Sequence, residues 1–236
     1  DYTFRVFYGA SDAYISNRRF NGPGGLPVGS QGSLLGLATD PAYSPLAFYL
    51  LMKRGAMVWP VIADLPPPIG GVPPDTVLQG LKRLRPYVPK NKYSARLITL
   101  DEGTTRTLMS VRPELQRAFF MRLIFRAVKH LARGALGLVT ADRFGQDGVE
   151  SLKDLRAVDE VAAFPVYRPL LTLEDERVNE QLKQLELAEF EAKKPSSTSL
   201  SIPYERIIGE IRELEGPLQV EQLAQQLAAK SEKTSL

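Results

Sequence analysis

The sequence predicts an α/β fold in which a mainly parallel β-sheet is covered by helices on both faces. Apolar segments of strand length recur along the chain at 34–38, 57–63, 95–100 and 135–140. Between them lie segments whose apolar residues follow a helical period, at 44–54, 74–85 and 112–132. Because consecutive parallel strands need a crossover between them, usually a helix, this alternation favours a parallel sheet.

Both ends of the chain depart from this alternation. Residues 2–7 alternate in polarity and residues 13–16 can pair back on them, which predicts a short β-hairpin with few places to bury its apolar side chains. Near the other end, the sequence predicts a last strand, a charged helix, a linker and two amphipathic helices, at 164–170, 174–194, 194–199, 204–214 and 220–229. We therefore expect a hairpin, an α/β domain, and a linker with a C-terminal helical extension, with bounds at 1–21, 22–194 and 195–236.

The composition excludes several kinds of chemistry. The 236 residues contain no cysteine and a single histidine, so disulfides, thiolate metal sites and a thiol relay are excluded and no metal site is expected. That histidine, His130, lies near a predicted helix end, where a partly exposed cation is favourable. The net charge of +3 is too small to indicate nucleic-acid binding by itself. No apolar run is long enough to span a bilayer and no signal peptide is visible, so we expect a cytoplasmic protein without a membrane partner.

The segment 39–45 follows the first strand of the predicted domain and has the position of a phosphate-binding loop. In open α/β sheets, such a strand–loop–helix unit presents unpaired helix N–H groups to anionic ligands. In this chain, however, Asp40 or Ser44 can cap the helix. Pro41 or Pro45 can occupy its first turn. The residues therefore favour a closed or acidic loop at the place where a pyrophosphate would lie.

Five short motifs follow one another between residues 22 and 175. They are the Gly/Pro segment 22–29, the helix end 50–55, the segments 139–146 and 155–159, and the Arg-Pro-Leu triplet 168–170. Together they resemble the ThiI family of tRNA 4-thiouridine sulfurtransferases, in which the third motif reads Val-Thr-Gly-Glu-Ser-Leu-Gly-Gln. The resemblance implies a Rossmann-like fold of the adenine nucleotide alpha hydrolase type. The N-terminal hairpin resembles the end of the family's RNA-binding THUMP region.

The resemblance also implies an ATP-dependent activity on tRNA, linked to thiamine biosynthesis. In this family a PP-loop, Ser-Gly-Gly-x-Asp-Ser-Pro, wraps the ATP pyrophosphate so that a uridine carbonyl can be adenylated, after which sulfur displaces AMP. When the motif is aligned on its Ser-Pro pair, the nucleotide-site positions are Thr39, Asp40, Pro41, Ala42, Tyr43, Ser44, Gly145 and Gln146. Asp142 and Arg168 occupy the positions of candidate catalytic residues.

Four residues of the loop depart from the family pattern, of which Thr39 is a conservative replacement of the first serine. Asp40 and Pro41 replace the two glycines, and Tyr43 replaces the aspartate. Proline removes an N–H donor, and a carboxylate at 4 Å repels a phosphate charge by about 1 kcal/mol in water or roughly 4 kcal/mol at an effective dielectric of 20. We therefore expect no bound cofactor, with ATP and Mg²⁺ only if the family activity is retained. From its position, the Tyr43 ring is expected to fill the space of a lost nucleotide.

Three functions are consistent with the sequence. The one we favour is a pseudoenzyme that keeps the family fold as an RNA- or protein-binding module; the first alternative is an active, ATP-dependent tRNA uridine thiolation enzyme. The second is a structural partner that dimerises through its C-terminal helices, so the candidate partners are tRNA and a second copy of the chain. A binding module could use a run of basic residues with two tyrosines among them, although such a run is more often a solvated surface. The run comprises Lys53, Arg54, Lys82, Arg83, Arg85, Lys90, Lys92 and Arg96, with Tyr87 and Tyr93.

Overall fold

A computed structural model of the chain describes residues 3–18, 22–89, 93–145, 152–190 and 204–236. In chain order, the strands are β1 (Arg5–Tyr8), β2 (Ala13–Ser16), β3 (Ser33–Ala38), β4 (Met57–Ala63), β5 (Ser94–Ile98), β6 (Leu138–Val139), β7 (Val166–Tyr167) and β8 (Glu232–Ser235). The α-helices are α1 (Tyr43–Met52), α2 (Pro74–Lys82), α3 (Glu102–Ser110), α4 (Pro113–Leu131), α5 (Leu152–Asp159), α6 (Asp175–Gln184), α7 (Tyr204–Glu215) and α8 (Val220–Lys230). Short 3-10 helices lie at Pro67–Ile69, Arg85–Tyr87 and Ala188–Phe190.

Six strands form one sheet in the order β7-β6-β3-β4-β5-β8. Strand β8 runs antiparallel to β5, and the other neighbouring pairs are parallel. From β3 the chain builds outward through β4 and β5, and it then returns to the other side of β3 for β6 and β7. The direction of winding therefore reverses between β3 and β6, which is the point where open α/β sheets bind ligands at the carboxyl edge. The predicted mainly parallel sheet is confirmed.

Helices cover both faces of the sheet, as predicted. Successive side chains of a strand point to opposite faces, so Leu34 and Leu35 of β3 enter different buried clusters. Leu34 packs with residues of α1, α2 and α6, whereas Leu35 packs with residues of α3, α4, α7 and α8. Of the helices in the described ranges, none combines the length and the apolar character that crossing a bilayer requires.

Two glycines allow the elements around α1 to approach closely. A Cβ at Gly36 of β3 would lie 2.6 Å from the ring of Phe48, so only a glycine lets α1 reach the sheet here. A Cβ at Gly80 of α2 would lie 1.8 Å from the carbonyl oxygen of Pro41. The backbone of the loop that precedes α1 is therefore in direct contact with the backbone of α2, which supports the loop from behind.

A buried ion network joins α4 to α5 and α7. The side chain of Arg122, 1% exposed, donates to Glu215 (Nε–Oε1 2.7 Å, Nη2–Oε2 2.9 Å), to Glu160 (Nη1–Oε2 2.8 Å) and to the carbonyl of Ala157 (2.6 Å). Arg126 donates to the same Glu215 carboxylate at 2.8 and 2.7 Å. Burial raises the pKa of Glu215, but the hydrogen bonds and charges of the two arginines outweigh it, so its pKa lies below the ordinary value. The network fixes α7 against the rest of the fold.

The N-terminal hairpin confirms the sequence prediction. Strands β1 and β2 pair antiparallel, with Arg5 opposite Ser16 and Tyr8 opposite Ala13. Apolar and aromatic side chains of the hairpin, and of the residue before β1, remain exposed: Phe4, Val6, Phe7, Tyr8, Tyr14 and Ile15. The hairpin forms a sheet of its own, separate from the six-stranded one.

Several elements differ from the sequence-based expectation. The helices α3 and α5 and the strand β8 are not anticipated; β8 pairs with β5 and completes the sheet. The last predicted strand, 164–170, is only two residues long, and the helix predicted at 174–194 ends at Gln184 because Glu186 turns the backbone to a positive φ of 56°. The apolar residues of α7 and α8 considered for dimerisation, such as Leu227, are buried inside this chain. The predicted boundary at residue 195 lies outside the described residues and stays a prediction.

Candidate nucleotide-loop site

The loop between β3 and α1 is closed by hydrogen bonds to its own side chains. The Asp40 Oδ1 atom accepts from the backbone N–H of Ala42 at 2.8 Å and of Tyr43 at 2.7 Å. The Ser44 hydroxyl oxygen accepts from the N–H of Thr39 at 3.2 Å and of Asp40 at 3.1 Å. Pro41 has no N–H, so every N–H from residue 39 to residue 43 is either bonded within the loop or missing. Asp40 thus bonds to the N–H groups at the start of α1, although the N-cap residue itself is Ala42. Ser44 lies within α1 and accepts only from N–H groups of the loop, so it does not cap the helix.

The Asp40 carboxylate lies in the interior of the protein, with 4% of the residue exposed. A buried carboxylate is stable only where donors or positive charge compensate for its lost hydration. Here the N–H groups of Ala42 and Tyr43 do so, at the positive end of the α1 dipole. The carboxylate therefore occupies the start of the helix, where an anionic ligand would otherwise receive these N–H groups.

The Tyr43 side chain is also held inside. It is 7% exposed, and the guanidinium carbon of Arg143 lies 4.8 Å from the centre of its ring, in the geometry of a cation–π contact. Arg143, itself 8% exposed, forms an ion pair with Asp175 at the start of α6. The ring and the guanidinium together close one side of the loop.

A small cavity lies at the switch point of the sheet, between the ends of β3 and β6. Its lining comes from these two strand ends, the start of α1 and one face of α4: Leu37, Thr39, Asp40, Tyr43, Arg117, Met121, Thr140, Ala141 and Asp142. The cavity has a volume of ≈ 10 Å³. That volume holds about one water molecule, which is far less than a nucleotide occupies.

Beside the cavity, Asp142 and Arg168 belong to one ionic network. Arg168 donates from Nε to Asp142 Oδ2 at 2.7 Å, and from its two terminal nitrogens to Asp159 at 2.9 and 2.5 Å. The Thr140 hydroxyl donates to the same Asp142 oxygen at 2.6 Å. Burial lowers the pKa of Arg168, but its hydrogen bonds and charge interactions with Asp159 and Asp142 outweigh this effect, so the net pKa is raised. The guanidinium is a permanent cation with both carboxylates fixed around it.

The structure brings most of the predicted site residues together. Thr39, Asp40, Tyr43 and Asp142 line the cavity, Pro41, Ala42 and Ser44 complete the loop beside it, and Arg168 reaches it through Asp142. Gly145 is exposed, has a positive φ of 73° and does not line the cavity. Gln146 lies outside the described residues. Among the side chains that are described, no three His, Asp or Glu residues are grouped as metal ligands would be.

Two lining residues come from α4, and of these Arg117 was not anticipated from the sequence. Arg117 and Met121 lie one turn apart on α4 and so share a face of the helix. Arg117 also donates to the carbonyl of Ile69 at 3.1 Å, which ties α4 to the 3-10 helix after β4. Their spacing is visible in the sequence, but nothing there indicates which face of the helix meets the loop.

The members of the basic run that the structure describes do not form one surface. Arg83 is paired with Glu186 and Glu189 at 2.9 and 2.5 Å, whereas Arg96 of β5 bonds to Ser231, which follows α8. Lys53 lies 5.6 Å from the ring centre of Tyr49, and Tyr93 is buried. Lys90 and Lys92 lie outside the described residues.

Comparison with known proteins shows the family of the chain. The family model described as thiamine biosynthesis protein (ThiI) matches residues 29–206. A tRNA sulfurtransferase of Pyrobaculum aerophilum is 33% identical over 187 residues, which cover 78% of this chain and 38% of the relative. A probable tRNA sulfurtransferase of Thermus thermophilus is 31% identical over 180 residues, which cover 75% of this chain and 43% of the relative. The crystal structure of a 4-thiouridine synthetase–RNA complex with bound ATP is similar with a TM-score of 0.79 and 21% identity, over 99% of this chain and 62% of that one. The chain thus spans less than half the length of these two relatives, and it belongs to the ThiI family.

Proposed function

We propose that this chain is a tRNA-binding member of the ThiI family whose loop between β3 and α1 does not bind ATP. The observation that carries the proposal is the Asp40 carboxylate, which accepts the N–H groups of Ala42 and Tyr43 at the start of α1. In the family's loop pattern, glycines leave such N–H groups to the pyrophosphate. The sulfurtransferase relatives and the RNA-bound synthetase support tRNA as the partner.

The energies involved are large enough to prevent nucleotide binding. A pyrophosphate in this loop requires Asp40 to release two N–H groups, and hydrogen bonds to a charged group contribute roughly 1.5–3 kcal/mol each. Repulsion between the carboxylate and one phosphate charge adds about 1–4 kcal/mol. The sum is several kcal/mol, and at about 1.4 kcal/mol per decade it weakens a micromolar affinity to millimolar or beyond. The residues present therefore do not fit ATP, and no step of the proposed function uses it.

Calorimetric titration with ATP and Mg²⁺ tests the loop. We expect no measurable binding to the wild-type chain and binding to the Asp40→Gly/Pro41→Gly/Tyr43→Asp variant, which restores the family pattern without changing the net charge. Asp75→Asn, a change at an exposed carboxylate of α2, serves as a control and should behave as the wild type. Micromolar binding of ATP to the wild-type chain would contradict the proposal.

A second measurement tests the RNA partner. In a filter-binding assay, the wild-type chain should retain tRNA without nucleotide, and addition of ATP should leave the affinity unchanged. If the chain folds but retains no tRNA at low salt, the binding-module part of the proposal is wrong. If ATP is consumed with formation of AMP when tRNA is added, the loop part is wrong.

The alternative is an active enzyme for ATP-dependent 4-thiouridine synthesis, linked to thiamine biosynthesis. One observation favours it: Thr39, Ser44 and Asp142 remain together at the switch point, with Arg168 bonded to Asp142. Incubation of tRNA with ATP, Mg²⁺ and a sulfide donor, followed by mass analysis of the nucleosides, separates the two functions. Thiouridine formed by the wild-type chain and lost in Asp142→Asn would establish the alternative.

A further inference from the structure

A second, larger pocket lies at the opposite end of the sheet from the loop between β3 and α1. We name it the amino-end pocket, because it is formed where the strands begin; its volume is ≈ 350 Å³. Its lining is Ser33, Leu35, Trp59, Pro60, Val61, Ser94, Arg96, Leu131, Arg133, Ala135 and Lys233. This volume falls within the range of small-ligand sites.

The strand register explains why these side chains meet. Leu35 of β3 is level with Trp59 of β4. Arg96 of β5 is level with Val61 on one side and with Lys233 of β8 on the other. Side chains alternate along a strand, so these residues and Trp59, two positions from Val61, all point to the sheet face that α4 covers. Helix α4 ends at Leu131, and the sheet beyond its end is left open to form the pocket.

The pocket combines an aromatic ring with positive charge. The Trp59 side chain is half-buried, Arg133 and Lys233 are exposed, and Arg96 is held in place by hydrogen bonds to Ser231 (Nη1–Oγ 3.1 Å, Nη1–O 3.4 Å). Three of the lining residues are basic and none of them is acidic. An indole ring beside guanidinium and ammonium groups is suited to a ligand that has both a planar ring and an anionic group.

We propose that the amino-end pocket binds a nucleotide unit of single-stranded RNA, with its base stacked on Trp59 and its phosphate between Arg133 and Lys233. Stacking on an aromatic side chain and contact of phosphate with cations are the two interactions by which proteins hold unpaired nucleotides. The hydroxyls of Ser33 and Ser94 line the same space and can donate to or accept from the edge of a base. The inference goes beyond the proposed function and does not depend on whether the loop between β3 and α1 binds ATP.

Trp59 is the only tryptophan of the chain, so its fluorescence reports this pocket directly. The probes are uridine monophosphate, a 5′-phosphorylated pentauridylate, and a blunt RNA duplex. We expect saturable quenching by the single-stranded probe and none by the duplex. Quenching by the monophosphate as well would identify free nucleotides as a second source of the same ligand, whereas quenching by the pentamer alone would identify an RNA strand.

Charge-reversal variants decide whether the basic residues take part. Arg133→Glu and Lys233→Glu should each weaken the affinity about tenfold and reduce the slope of log affinity against log salt by about 0.7, the value for one phosphate contact of a single strand. Arg106→Glu, the same change at an exposed position of α3, should leave both quantities unchanged. A Trp59→Phe variant, followed by the anisotropy of a labelled pentamer, should bind more weakly than the wild type.

Two results would overturn the inference. The first is that neither uridine probe quenches Trp59. The second is that quenching occurs but Arg133→Glu and Lys233→Glu do not differ from Arg106→Glu. The Asp40→Gly/Pro41→Gly/Tyr43→Asp variant keeps the test separate from the nucleotide loop, because quenching by the pentamer should be the same with and without these changes.

Discussion

Removing the charge of the Glu215 carboxylate should lower the stability of the protein and so measure how strongly α7 is held to the fold. In the buried network it accepts two hydrogen bonds from Arg122 and two from Arg126. The substitution Glu215→Gln keeps the size of the side chain but removes its charge. Arg122 is 1% exposed and cannot regain water in the folded protein, so part of its charge is left without a partner.

The expected loss follows from the contacts that remain. Removing one partner of a buried ion pair destabilises a protein by about 3–5 kcal/mol. Arg122 keeps Glu160 and the carbonyl of Ala157, at 2.8 and 2.6 Å, so we expect a loss near the lower limit, about 3 kcal/mol. With an m-value of about 3 kcal/mol per molar urea, the midpoint of unfolding should fall by about 1 M.

Equilibrium unfolding in urea, followed by circular dichroism, measures this shift. The matched control is Glu213→Gln, the same change at an exposed position of the same helix, which should alter the stability by less than about 0.5 kcal/mol. Replacing the pair together, Arg122→Met/Glu215→Leu, should recover the part of the loss that is due to Arg122, because its buried charge is then removed with its partner, whereas Arg126 still lacks Glu215. If Glu215→Gln and Glu213→Gln unfold at the same urea concentration, the Glu215 carboxylate does not hold α7 to the fold.

Further predictions concern α2, α3 and acid stability. Gly80→Ala should destabilise the fold by about 1–3 kcal/mol in thermal unfolding, because its Cβ would meet the carbonyl of Pro41 at 1.8 Å, whereas Gly209→Ala, with nothing within 4 Å, should be neutral or stabilising. Asp101→Ala should cost about 1 kcal/mol because α3 loses its N-cap, and equal melting temperatures for Asp101→Ala and the wild type would refute this role. The pKa of Glu215 is lower in the folded chain than its ordinary 4.5, so its contribution to stability is complete above pH 4.5 and is lost as the pH falls through the lower folded value. In urea titrations below pH 4.5, Glu215→Gln should therefore lose less stability than the wild type; parallel losses would contradict the sign.

The sequence predicts the fold well where packing and local pattern agree. The apolar strands β3 and β4 and the helices α1, α2 and α4 follow the predicted order, and His130 is partly exposed beside Glu221 near the end of α4, as expected. The elements that were missed have little apolar pattern: β8 reads Glu-Lys-Thr-Ser, and only its pairing with β5 makes it a strand. Helix α3 begins at its cap, Asp101, and has few apolar positions to reveal its period.

The loop between β3 and α1 could be predicted from the sequence more fully than the amino-end pocket, because its contacts are local. Asp40 bonds to N–H groups only two and three positions later in the chain, so helix-start chemistry is sufficient to predict this contact. The amino-end pocket joins four strands and the end of a helix, and its lining comes from distant parts of the chain. The half-exposed position of Trp59 depends on where α4 ends relative to the sheet, which no local pattern encodes.

The place of β8 at the edge of the sheet has a consequence for the kinetics of folding. Strand β8 lies beside residues that are distant from it in the chain. Arg96 of β5, for example, bonds to Ser231, which precedes β8 and is 135 positions away. Closing a loop of that length costs about 4 kcal/mol of chain entropy before the new contacts form, so this pairing belongs to the late steps of folding. Until then β5 has an unpaired edge, along which a second unfolded chain can add. Refolding yield should therefore fall as protein concentration rises, even though the finished sheet has this edge covered.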